Sequence, residues 1–207
     1  PWKRAVETEE DWPPPGVRTH RVYLGRENGS FKMSSRPKGE RGELKLEPRL
    51  LNPAHSGPSV VRPQAFGIPV RGPEKESGKG YFSFTTSPAK KDFELVGIPR
   101  LRVSIRPLRE RVQLNALLYD VSPSGGRPLL ITYGTATLEG LTPGEETAVS
   151  LDLVATDHLL AAGHCFRLTL SGSNIPFVLP VLGEGAQVIY GDGESVLELP
   201  LREVAGG

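Results

Sequence analysis

An all-β fold, a jelly-roll β-sandwich of two packed and mostly antiparallel sheets, is predicted by three observations. Between Gly80 and Pro200 the 207-residue chain breaks into short alternating segments separated by turns. Glycine (24) and proline (20) are abundant while 37% of residues are hydrophobic, a composition of turns and short strands. No long run carries the 3.6-residue periodicity of an amphipathic helix.

The elements follow in order along the chain. Residues 1–16, charged at both ends and closing on Pro13-Pro14-Pro15-Gly16, cannot form a regular core element and are expected to be a connector. The sandwich domain is expected over residues 17–207. Its first strand runs from Val17 to Leu24 and closes on the turn Gly25-Arg26-Glu27-Asn28-Gly29, with a pairing partner around Leu44 to Leu46. From residue 47 to 80 proline, glycine and serine crowd the chain, which predicts a long surface loop.

Strands are then expected at Tyr81 to Thr86, Phe93 to Val96, Leu101 to Ile105, Val112 to Val121, Leu129 to Leu138, Ala148 to Val154, Phe166 to Ser171, Ala186 to Tyr190 and Val196 to Leu201. Leu101, Val103 and Ile105 alternate with Arg100, Arg102, Ser104 and Arg106, the pattern of a half-buried strand. Turns such as Ser122-Pro123-Ser124-Gly125-Gly126 and Gly191-Asp192-Gly193 separate the strands. Thr156-Asp157-His158-Leu159-Leu160 is expected to add one helical turn capped by Thr156. About ten one-sided strands cannot bury their apolar faces in a single open layer, so two sheets must pack face to face.

Charge and composition narrow the function. A formal net charge of +1 supplies no footprint for a nucleic-acid backbone or an anionic membrane, so neither is an expected partner. No apolar run approaches eighteen residues and no leader is readable at the amino terminus, so a cytoplasmic location is the expectation. The chain opens on Pro1 and its one methionine is Met33, which suggests a piece of a longer protein. An oligomer is left open. Cys165 has no second thiol to pair with and reads as a small strand hydrophobe.

No side chain stands in the setting of an activated nucleophile, so no catalytic residue is assigned, and no metal or cofactor is expected. His158 and His164 read as structural hydrogen-bonding groups near a loop and a strand start, since a ligand site needs convergent partners. His20 and His55 have none at metal-ligand spacing. Ser171, Ser173 and Asn174 form a polar turn of the kind that satisfies its own backbone. Asp192 and Glu194 offer two carboxylates where calcium requires about six to eight oxygens. Arg100, Arg102, Arg106, Arg109 and Arg111 crowd one strand and turn; they read either as a solvated face or as a docking face for carboxylates on a partner. Trp2 and Trp12, set in a connector without a core, are further candidates for that docking surface.

Three stretches become recognisable together: Tyr81-Phe-Ser-Phe-Thr-Thr-Ser-Pro88 with Asp92-Phe-Glu-Leu-Val-Gly-Ile-Pro99, then Leu118-Tyr-Asp-Val-Ser-Pro-Ser-Gly125, then Gly163-His-Cys-Phe-Arg-Leu-Thr-Leu-Ser-Gly-Ser-Asn-Ile-Pro176. In this order they resemble the carboxy-terminal jelly-roll domain of the X-prolyl dipeptidyl aminopeptidase, cocaine esterase and α-amino acid ester hydrolase family. Gln187-Val-Ile-Tyr190, Leu197-Glu-Leu-Pro-Leu201 and Trp12-Pro13-Pro14 fit the same resemblance. In that family an α/β-hydrolase domain carries the triad, with its serine in a G-x-S-x-G elbow; no such elbow occurs here. The resemblance implies an accessory domain without catalytic residues, joined through the connector to an upstream α/β-hydrolase domain and shaping its substrate cleft. The alternative is a stand-alone carbohydrate-binding module, which would need an exposed aromatic platform from Tyr81, Phe82, Phe84, Tyr119, Tyr133 and Tyr190.

Overall fold

A computed structural model of the chain describes residues 13–48, 71–78, 80–174, 181 and 185–204. Every regular element among them is a strand. In chain order they are β1 (Arg18–Glu27), β2 (Ser30–Ser34), β3 (Gly42–Leu46), β4 (Ser77–Gly78), β5 (Tyr81–Thr86), β6 (Phe93–Gly97) and β7 (Arg100–Pro107). They continue as β8 (Val112–Val121), β9 (Leu129–Leu138), β10 (Thr147–Asp152), β11 (Thr156–Leu160), β12 (Cys165–Ser171), β13 (Ala186–Tyr190) and β14 (Val196–Glu203).

One layer is built around β7, which pairs with β10 along one edge and with β13 and β14 along the other. There β3 extends β13, β1 pairs with β14, and β6 links β14 to β11. The second layer runs β9-β8-β12-β5. The β1-β2 hairpin joins the two, since β1 belongs to the first ladder and β2 pairs in parallel with β5 of the second. The sheet is thus continuous through that hairpin, and its two halves bury a shared core. Phe84, Leu118 and Leu168 from one half and Leu101, Ile105 and Leu197 from the other are each 0% exposed.

The all-β sandwich expected from the sequence is the fold observed, with four differences. The first strand continues through Glu27, and the tight turn is confined to Asn28 and Gly29, whose φ angles of 49° and 83° suit a two-residue hairpin. Its partner is β2, where Phe31 and Met33 alternate with polar residues; β3 pairs with β13 instead. Thr156–Leu160 is a strand and not a helical turn: five residues are too few to sustain a helix, and the free edge of β6 supplies ladder partners from Thr156↔Gly97 to Leu160↔Phe93. The fourth is β8, where Val112 to Asp120 are all buried rather than one-sided. Residues 72–78 run over the outer face of this layer: Gly72 passes beside the Tyr119 ring of β8 and Gly78 beside the Tyr81 ring of β5. Arg167 donates to Glu74 O and Thr85 to Glu76 on that face. Of the expected long loop, residues 49–70 and 79 lie outside the described part.

A histidine–aspartate cluster at the mouth of a surface cleft

Asp120 stands at the end of β8, where an otherwise apolar strand meets the Ser122–Gly126 turn, and it is only 9% exposed. A carboxylate so placed must be satisfied from elsewhere in the fold. Two histidines supply the partners. His158, from β11, donates Nε2–H to Asp120 Oδ2 at 3.0 Å, and His164, just before β12, donates Nδ1–H to Oδ1 at 2.6 Å. Burial by itself raises the Asp120 carboxyl, but the hydrogen bonds from His158 and His164 outweigh it and hold the group below the usual carboxylate range.

The cluster stitches β11, an edge strand of the first layer, to β8 of the second. Both imidazoles point at the carboxylate rather than at a shared centre, and among the described residues no His, Cys, Asp or Glu group is placed to hold a metal ion. His158 and His164 each spend one ring nitrogen on the hydrogen bond to Asp120. Asp120 was visible only as one letter of a strand, and its role is set by partners 38 and 44 positions away.

Beside the cluster opens a cleft of about 530 Å³ lined by Arg71, Asp120, Ser122, Gly125, Gly126, Arg127, Leu129 and His164. Its walls are held by one backbone bond and by the two arginine side chains. Gly72 N–H donates to Pro128 O at 2.7 Å, Arg127 Nε–H to Gly72 O at 3.2 Å and Arg71 Nη1–H to Arg127 O at 3.1 Å. The turn is braced by Gly125 N–H to Ser122 O and by a 2.7 Å contact between the Ser122 and Ser124 hydroxyls.

The arginines of β7 lie on its solvent side, each against a carboxylate of the same domain. Arg100 holds Asp152, its direct neighbour on β10, through two bonds of 2.5 and 3.1 Å, and this hydrogen bonding keeps Asp152 below the usual carboxylate range. Arg102 reaches Glu198 at 3.5 Å and shares it with Arg21, while Arg106 pairs with Glu43 and approaches Glu146 at 3.7 Å. Exposed pairs of this kind are screened by solvent and contribute little to stability. Arg111 pairs with Glu139 at 3.0 Å. Trp2, Trp12 and His55 lie outside the described residues.

The remaining candidates are structural. Asp192 Oδ1 accepts the N–H groups of Glu194 and Ser195 at 3.0 and 2.9 Å, closing its own turn. Ser171 donates to Ser173 O, and Asn115, Thr135 and Asn174 extend that buried network. His20 meets Phe93 edge-on. Of the aromatics a sugar platform would need, Tyr81, Phe84, Tyr119 and Tyr190 are buried, and Phe82 packs on the core.

Residues 3–192 match the family model described as the X-Pro dipeptidyl-peptidase C-terminal non-catalytic domain. No curated protein matches the chain. Among solved structures, an aminopeptidase from the marine sediment archaeon Thaumarchaeota archaeon superposes with a TM-score of 0.73 at 16% identity, over 93% of this chain and 38% of that one. A CocE/NonD family hydrolase from Staphylococcus aureus gives 0.68 at 15%, over 95% and 38%. An α-amino acid ester hydrolase gives 0.65 at 18%, over 89% and 36%. At these identities the likeness is one of fold, and the chain spans little more than a third of each of those proteins.

Proposed function

The chain belongs to the family of X-Pro dipeptidyl-peptidase C-terminal non-catalytic domains, and from that premise we propose that it serves as the accessory domain of a serine hydrolase, packing on an α/β-hydrolase unit of the same parent chain and shaping its substrate cleft. The domain itself is non-catalytic. The match over residues 3–192 is the observation that carries this reading. The parent activity consistent with it is cleavage of Xaa-Pro peptides or of acyl esters.

A surface suited to such packing lies at the start of β7. Ile98 and Val154, 50% and 54% exposed, flank the Arg100–Asp152 pair, and Leu153 N–H donating to Pro99 O holds the two segments together. A Cβ placed on Gly97 would stand 4.0 Å from Pro13, so the chain enters the described part of the domain beside this patch. An apolar pair at the point of attachment fits a tethered neighbour, with Arg100, Arg102 and Arg106 as its polar rim.

The experiment is to express the 207-residue chain alone and joined to the polypeptide encoded upstream of it. Alone, it is expected to leave chromogenic Xaa-Pro and ester substrates untouched; joined, it is expected to support turnover, and Ile98→Asp with Val154→Asp to weaken that turnover. Hydrolysis by the isolated chain, or an upstream polypeptide without a hydrolase, would overturn the reading.

A further inference from the structure

The cleft beside Asp120 holds groups that the accessory role does not use. Among the described residues Arg71, Arg127 and one carboxylate line it, and both oxygens of that carboxylate are engaged by His158 and His164. Its size lies within the roughly 300–1,000 Å³ of small-molecule sites. One backbone bond, Gly72 N–H to Pro128 O, and two bonds donated by the guanidiniums themselves, Arg71 Nη1–H to Arg127 O and Arg127 Nε–H to Gly72 O, fix the two arginine-bearing segments against each other before any ligand arrives. Leu129 and the glycines of the turn leave the remaining surface open to a short organic body.

From this juxtaposition we propose that the cleft between residues 71–72 and the 122–129 turn is a binding site for a small carboxylate. The planar guanidinium fork matches a carboxylate's two oxygens, and Arg71, more exposed than Arg127 and bonded to Arg127 O through Nη1, is the side chain whose Nε and Nη2 edge would meet it. Asp120 acts as a positioning residue, holding His164 at the rim.

The test uses the full 207-residue chain, labelled with ¹⁵N, titrated with N-acetyl-trialanine as the free acid, as its C-terminal amide, and with inorganic phosphate. The free acid is expected to shift the amides of Gly125, Gly126 and Arg127 along one saturable curve, and the amide to leave them in place. Arg71→Ala, with spectral changes confined to the cleft, is expected to weaken binding by about tenfold, and Arg71→Lys by less, because a lysine keeps the charge without the fork. Equal shifts with the amidated peptide, saturation by phosphate alone, or unaltered binding by the Arg71→Ala chain would each overturn the proposal.

Discussion

Arg202 and Glu94 face each other directly across the β14-β6 ladder, and the guanidinium Nε and Nη2 reach one carboxylate oxygen at 2.7 and 2.5 Å while the Glu94 side chain is only 3% exposed. Desolvating a carboxylate is costly unless its partner is kept. Arg202→Ala is therefore expected to destabilise the domain by about 3 kcal/mol in urea unfolding, the low end for breaking a buried pair because Arg202 is itself partly solvated. Replacing both residues by apolar ones of similar volume should recover most of that loss; a double variant as unstable as Arg202→Ala would contradict the desolvation argument.

Asp120 predicts an acid-sensitive clamp. Its carboxyl is held below the usual range when folded, so its contribution is complete above the unfolded value of about 3.9 and is lost as pH falls through the lower folded value. Asp120→Asn, which presents an NH₂ group to one of two N–H donors, is expected to cost about 2–3 kcal/mol at pH 7. Melting curves from pH 7 to pH 3 should show that deficit steady down to about pH 5 and narrowing below about pH 4. A deficit independent of pH would remove the charge from the explanation.

The Cys165 thiol is pushed up by burial, and the nearby Lys32 and Arg167 offset this only in part. Since the thiolate is the reactive form, labelling by iodoacetamide at pH 7.5 should run about tenfold slower than for free glutathione. Urea should bring the rate back to that of an exposed thiol. Fast labelling of the folded chain would contradict the burial.

Gly134 on β9 marks where the chain leaving β10 passes over the second layer. A Cβ there would stand 2.6 Å from the carbonyl oxygen of Asp152, and backbone cannot rotate out of the way as a side chain can. Gly134→Ala is expected to cost about 1–3 kcal/mol, read as a lowered unfolding midpoint with an unchanged slope. A stability equal to that of the parent would show that the loop after β10 yields freely.

The strands whose burial is one-sided were the most legible in the sequence. Leu101, Val103 and Ile105 are buried while Arg100 and Arg102 are exposed, as their alternation requires. The same reasoning failed on β8 because its second face is covered by distant residues, Tyr119 by Gly72 and Asn115 by its bonds to Ser171 and Thr135, and local periodicity carries no trace of such a cover. Short strands were lost to propensity: β11 gains its conformation from the edge of β6, and the alternation of Phe31 and Met33 in β2 was a readable signal passed over. The crowding of arginines is plain in the sequence, but their carboxylate partners come from β3, β10, β14, the segment before β10 and Glu139 after β9. The Asp120 cluster was opaque for a similar reason, since three residues on two layers share no spacing.

The pairing of β1 with β14, in which Arg18 stands opposite Leu201, puts the opening and closing strands side by side with their outer ends together. Force applied through those ends would load the ladder one rung at a time, so the sandwich should peel open under weak tension instead of shearing. For the same reason a short peptide bridge could join the ends, and the polypeptide could be reopened at the exposed Ser124-Gly125 bend without disturbing any rung of the sheet.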